Sequence, residues 1–107
     1  MADELSAAFA ALADPTRRDM IQRLAASGDA TVTSLAEHYD LTLQAVSKHM
    51  KVLEHAGLVS RGRDAQRRPV RFEGQVFHLM AKWIERYQRE AEERYQRLDA
   101  VLAQMNE

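Results

Sequence analysis

Gln44, Ser47, Lys48 and Lys51 stand at positions i, i+3, i+4 and i+7, the spacing that puts side chains on one face of a helix. That strip contains no acid. Amide and hydroxyl groups can hydrogen-bond base edges or phosphate oxygens, and lysines neutralise phosphates, so the chemistry open to this face is nucleic-acid recognition. A second group of cations follows, with Arg61, Arg63, Arg67, Arg68 and Arg71 crowded into one short segment. Beside such a strip these guanidinium groups suit a phosphate backbone or a minor groove. Arginines on an edge hairpin also deter aggregation, and that plainer explanation stands beside the first.

The overall formal charge of −1 looks unsuited to a polyanion until it is divided along the 107 residues. Residues 1–40 hold three basic and seven acidic side chains, 41–72 hold seven and two, and 73–107 hold five and seven. The positive charge is gathered around the polar strip. A phosphate backbone responds to the local field of the docking surface rather than to the total, so near-neutrality does not argue against DNA. A solvated basic face is the competing explanation.

Other chemistry is thin. With no cysteine, disulfides, thiolate metal sites, thiol redox sensing and cysteine nucleophiles are all excluded. Ser47 has neither a base nor an orienting acid among its neighbours Gln44 and Lys48, and no phosphate-cradling loop is visible, so an enzyme is not expected. His38, His49, His55 and His78 read as surface or packing residues, His49 being the one best placed to reach a phosphate. His49 and His55 are about 240° apart around a helix and cannot chelate one ion. No run of about 18 apolar residues and no signal-like N-terminus occurs, so a cytoplasmic chain without a membrane span is expected.

The elements that carry these residues follow from spacing and caps. Leu5, Ala8, Phe9 and Leu12 predict a short amphipathic helix over about 3–12. Asp14 then supplies an N-cap and Pro15 the first helical position of a second helix, which runs to about Ala26 with Met20, Ile21 and Leu24 inward and Gly28 as its stop. Thr31, Thr33 and Ser34 are alternative caps for a third, short helix with Leu35, Ala36 and Tyr39 inward. A tight turn over 40–42 leads to Thr42 as cap of a fourth helix, whose Leu43, Val46, Met50 and Leu53 form an apolar stripe and which Gly57 ends. Two helices joined by a short turn, the second with an acid-free outer strip, predict a helix-turn-helix over about 33–56.

Leu58, Val59 and Ser60 read as a strand, Asp64, Ala65 and Gln66 as a turn, and Val70 to Phe72 as a returning strand, a wing over about 58–72. Pro69 cannot donate to a ladder, so that strand is an edge or begins there. From about 75 to 105 there is no proline or glycine, and Phe77, Met80, Ile84, Tyr87, Ala91, Tyr95, Leu98, Leu102 and Met105 follow steps of three and four, with one register slip through Ala91. A helix of about 30 residues is about 45 Å long, more than so small a domain can cover, so its stripe calls for another chain. Trp83, beside the stripe, would anchor that contact. An intramolecular helix with a frayed end is the rival reading. The fold expected is mainly α with a small β-hairpin, a single winged helix-turn-helix domain over 1–107.

The runs FAALADPTRRDMIQRL at 9–24 and VTSLAEHYDLTLQAVSKHMKVLEHAGLV at 32–59, with the arginine hairpin and the long terminal helix, resemble the ArsR family of winged-helix transcriptional repressors over nearly the whole chain. The resemblance implies a homodimer joined by its first and last helices, which binds an operator with its fourth helix and wings. It places DNA contacts at Leu43, Gln44, Ser47 and Lys48. Position 43 departs from the pattern, because many relatives carry a polar residue, often glutamine, where this chain has leucine. By spacing, Leu43 could instead continue the core stripe. Facing the groove, it would favour a thymine methyl over a guanine edge.

Metal-sensing members of the family use a thiolate site, impossible here without cysteine, or a site across the paired last helices. For the second, His78 has Val76 where a carboxylate belongs and Arg89 where a later ligand belongs, and Glu92 alone fits. One imidazole and a distant carboxylate make no tetrahedral site, so no cofactor is expected and no inducer can be named. The reading is therefore a sequence-specific repressor that binds a double-stranded (pseudo)palindromic operator as a homodimer. Thr42, Leu43, Gln44, Ser47, Lys48, His49, Lys51, Arg61, Arg63, Arg67 and Arg68 face DNA in this reading, and Leu5, Phe9, Phe77, Met80, Trp83, Ile84, Tyr87, Ala91, Tyr95, Leu98 and Leu102 face the second copy. The alternative is a winged-helix interaction module that docks another protein through its long C-terminal helix.

Overall fold

The computed structural model describes residues 3–62 and 68–106. Arg63, Arg67 and the turn expected at Asp64, Ala65 and Gln66 lie outside the described residues. The elements in chain order are α1 (Glu4–Ala11), α2 (Pro15–Ser27), β1 (Asp29–Ala30), α3 (Val32–Ala36), α4 (Leu43–His55), β2 (Val59–Arg61), β3 (Val70–Phe72) and α5 (Gln75–Met105). Contacts divide the chain into two compact units, one ending at Phe77 and one starting at His78.

Side-chain oxygens start the helices. The Asp3 carboxylate accepts from Ser6 N–H at 2.7 Å, and that of Asp14 from Arg17 N–H at 3.0 Å, each filling a donor the first turn leaves open. The Arg17 N–H, more than any other group, holds the Asp14 carboxyl below its ordinary range. Thr31, of the three candidate caps, starts α3 by accepting from Ser34 N–H at 3.1 Å, and Thr42 starts α4 by accepting from Ala45 N–H at 3.1 Å. Gly57 closes α4 in a left-handed conformation, φ 77°, so that Leu58 N–H reaches back to Leu53 O at 3.0 Å.

The first unit packs around the side chains that the helical periods turn inward. Met20, Leu24, Leu35, Val46, Met50, Leu53, Leu58 and Val70 are all buried. Full burial of one such side chain stabilises the fold by about 1.5–3 kcal/mol, so the stripe of α4 fixes which face that helix turns outward. In α1 the buried pair is Ala8 and Ala11, whereas Leu5 and Leu12 are half-buried and Phe9 is exposed. Of the expected stripe, Ala8 faces the core together with Ala11, and Phe9, assigned to a second copy, stays at the surface of the single chain.

The wing hairpin is part of a three-stranded antiparallel sheet in the order β1-β3-β2. Val59 pairs with Phe72, Ser60 with Arg71 and Arg61 with Val70, while Asp29 and Ala30 pair with Arg71 and Val70 on the other edge. β3 is therefore central and cannot contain a proline, and Pro69 stands one residue before it. β1 was not expected. At two residues it shows no alternation, and its partner lies about forty residues away in sequence. Ser60 Oγ donates to Glu73 Oε1 at 2.7 Å across the base of the wing.

A polar cluster joins α2 to the turn after α3. Tyr39 Oη donates to Asp19 Oδ2 at 2.5 Å, and Arg23 Nε donates to the same oxygen at 3.0 Å. The Arg23 guanidinium also lies 5.7 Å from the centre of the Tyr39 ring and brings Nη1 within 3.2 Å of His38 Nδ1. Burial, with the Asp19 contact second, pushes the Tyr39 phenol up to about 12. Tyr39, then Arg23, hold the Asp19 carboxyl below its ordinary range.

The second unit is helical, continuing α5, whose 31 residues run without a break. Ile84, Tyr87, Tyr95, Leu98, Leu102 and Met105 are all exposed in the single chain. The Trp83 and Tyr87 rings, one turn apart, lie 4.6 Å between centroids and tilted by 49°. Among the described residues no helix is long and apolar enough to cross a membrane.

Candidate nucleic-acid interface

Helix α4 separates its faces sharply. Val46, Met50 and Leu53 are 0, 1 and 0 % exposed, while Leu43 is 52 % exposed. Leu43 therefore does not continue the core stripe its spacing permits. A helical Cα–Cβ bond tilts toward the helix N-terminus, so a side chain at the first position overhangs the end of the helix, with no earlier turn to cover it. Leu43, Gln44, Ser47, Lys48 and Lys51 together line one open concavity. The sequence strip and the leucine of uncertain direction thus share a single surface. Glu54, the one acid of α4, follows the last lysine of the strip.

Not every side chain grouped by sequence joins that surface. The Thr42 hydroxyl is committed to the cap. His49 lines a neighbouring hollow instead, with Arg17, Ala45, Lys48 and Val52. Its Nδ1 lies 3.5 Å from Arg17 Nη1, and Arg17 is fixed further by donating from Nε to Ala11 O at 2.6 Å and from Nη2 to Ala10 O at 3.3 Å. Lys48 borders both hollows. Arg17 was not among the candidate residues, and its meeting with a histidine from another helix leaves no local trace in sequence.

On the wing, Arg61 is half-buried, and its Nε is buried without a hydrogen-bond partner among the described residues. Arg68 is exposed, with a positive φ of 36°, and Arg71 is exposed on the central strand. Gly62 N–H donates to Pro69 O at 2.7 Å, which closes the described base of the hairpin. Arg63 and Arg67 lie outside the described residues. Among the described residues no group of three or more His, Cys, Asp or Glu side chains is placed to hold a metal ion.

The residues assigned to a second copy divide by exposure. Met80 is 6 % exposed, and Phe77 is half-buried with its ring stacked on Phe72 at 5.2 Å. Phe9, Trp83, Ile84, Tyr87, Tyr95, Leu98 and Leu102 are exposed, as is Ala91.

Residues 12–61 match the family of helix-turn-helix domains. The chain is similar to the crystal structure of an ArsR family transcriptional regulator, with 34 % identity and a TM-score of 0.78, covering 84 % of this chain and 98 % of that one. The chain belongs to the ArsR family. An ArsR-family chain of this kind is a helix-turn-helix transcriptional regulator, and two more relatives fill in the likeness. The solution structure of a homodimeric winged helix-turn-helix DNA-binding domain from Mycobacterium bovis, a possible ArsR-family regulator, is 27 % identical with a TM-score of 0.64, covering 85 % of this chain and 81 % of that one. The transcriptional repressor SdpR of Bacillus subtilis is 36 % identical over 58 residues, 54 % of this chain and 63 % of the repressor.

Proposed function

We propose that this ArsR-family chain is a repressor that binds a (pseudo)palindromic double-stranded operator as a homodimer, with α4 in the major groove. The observation that carries the reading is the division of α4, with Val46, Met50 and Leu53 buried and Leu43, Gln44, Lys48 and Lys51 exposed on the other side. Gln44 and Ser47 hydrogen-bond base edges or phosphates, Lys48 and Lys51 neutralise phosphates, and Arg61 and Arg68 follow the backbone from the wing, joined by Arg63 and Arg67. His49 stands beside Lys48 as a phosphate contact and Thr42 sets the helix start.

The exposed face of α5, with Ile84, Tyr87, Tyr95, Leu98 and Leu102, meets its equivalent on a second copy, and Phe9 of α1 joins it. The homodimeric state of the Mycobacterium bovis relative supports this assembly, and the SdpR likeness supports repression. Two linked readers suit half-sites about 34–36 Å apart, one turn of duplex. Selection of bound duplexes from a random pool tests the proposal. An enriched inverted repeat, bound with an affinity that falls steeply with salt, is expected. A pool with no enriched sequence, together with capture of a protein on α5, would favour the interaction module instead.

A further inference from the structure

We propose that Leu43 is a specificity-determining residue that reads the C5-methyl group of a thymine in each operator half-site. The inference rests on α4 being the groove-entering helix, and goes further by naming the base and the atom read. Leu43 has no donor or acceptor, so it cannot satisfy a base edge by hydrogen bonding. It is nevertheless 52 % exposed on a surface otherwise made of Gln44, Ser47, Lys48 and Lys51.

A single exposed leucine is ordinary on a protein surface. The position of this one is what gives it meaning. It occupies the first residue of α4, next to Gln44 and on the concavity bordered by both lysines, where the helix end would come nearest to base edges. Among the groups a major groove presents, the thymine C5-methyl is the apolar one. Opposite guanine, the same leucine would cover O6 and N7 without pairing them, and buried acceptors left unpaired weaken binding. Leucine at this position therefore selects for a methyl and against guanine. Cytosine methylated at C5 offers the same methyl in the same place and is accepted in place of thymine.

The test replaces each thymine of the selected operator by deoxyuridine, which removes the methyl and keeps Watson–Crick pairing. Affinities of the intact chain and of Leu43→Ala are then compared on every duplex. One position per half-site should weaken the intact chain about fourfold on loss of its methyl, the worth of one buried carbon group, and should leave Leu43→Ala unchanged. At that position 5-methylcytosine should bind more tightly than cytosine. Deoxyuridine effects that are absent, or equal in the two proteins, overturn the assignment of Leu43 while the operator itself stands. A random pool that yields no operator overturns the reading of α4 as well.

Discussion

Arg17 Nη1 lies 3.5 Å from His49 Nδ1, a contact across 32 residues that joins the first turn of α2 to α4. Arginine only donates, so the contact is a hydrogen bond in the neutral His49 tautomer whose Nδ1 accepts. The same guanidinium donates to Ala11 O and Ala10 O, the last carbonyls of α1. One side chain thus ties together the end of α1, the start of α2 and the inner edge of the exposed helix.

Arg17→Ala should lower the unfolding free energy by about 1–2 kcal/mol, since it removes the donor to Ala11 O in a half-buried place, while Ala10 O keeps that of Ala13 N–H at 3.2 Å. Urea denaturation measures this. Arg17→Lys should recover only part of the loss, because one ammonium lacks the planar fork that meets three acceptors. Equal stability of all three proteins would show that water replaces the guanidinium without cost.

The Tyr39 cluster makes stability depend on pH at both ends of the scale. Tyr39 is raised from 10.0 to about 12, so the unfolded chain loses that proton first and stability falls as pH rises across that window. Asp19 is lowered from 3.8, so its contribution is present above that value and is lost as pH falls through its folded-state value. Tyr39→Phe should remove the alkaline fall and shrink the acid one. Thermal unfolding followed against pH measures both, and a curve unchanged by the substitution would contradict the cluster's role.

Arg61→Ala with Arg68→Ala should weaken binding to every duplex and make the salt dependence shallower, by a log–log slope of about 0.9 for each phosphate no longer neutralised. Titration at several salt concentrations reads this directly. Weakening confined to one sequence would mean that the wing reads bases.

Ile84→Asp with Leu98→Asp should leave the first unit folded, because both side chains are exposed, and should give monomers by sedimentation. Their operator affinity should fall steeply, since linked readers multiply their affinities and single readers do not. A dimer that persists would move the interface away from this face of α5.

Most of the helical frame was legible because caps and periodicity are local. Asp14 with Pro15, Thr42 with the Val46, Met50 and Leu53 stripe, and Gly57 each act within one or two turns. Partners distant in sequence were hidden. β1 exists through Gly28 and the centre of the wing, with Phe72 N–H donating to Gly28 O at 3.3 Å, and Arg17 meets His49 only once α2 and α4 have packed. Direction was the other limit. Spacing put Leu43 within reach of the core stripe, and only the end position of that residue on α4 decides its exposure. In α1 the period grouped Leu5, Ala8, Phe9 and Leu12 without saying which of them the chain's own core takes up, and the buried pair is Ala8 and Ala11.

The central claim is that the outer strip of α4 reads the operator, and Ser47→Ala with Lys48→Ala tests it most directly. Affinities of this variant and of the intact chain are compared on the selected duplex and on a scrambled duplex of the same length. The intact chain should prefer the selected duplex by a factor of about a thousand or more, and the variant, still folded by circular dichroism, should bind both duplexes more weakly and keep only the part of that preference that Leu43 and Gln44 supply. A folded variant that keeps the full preference would contradict the claim.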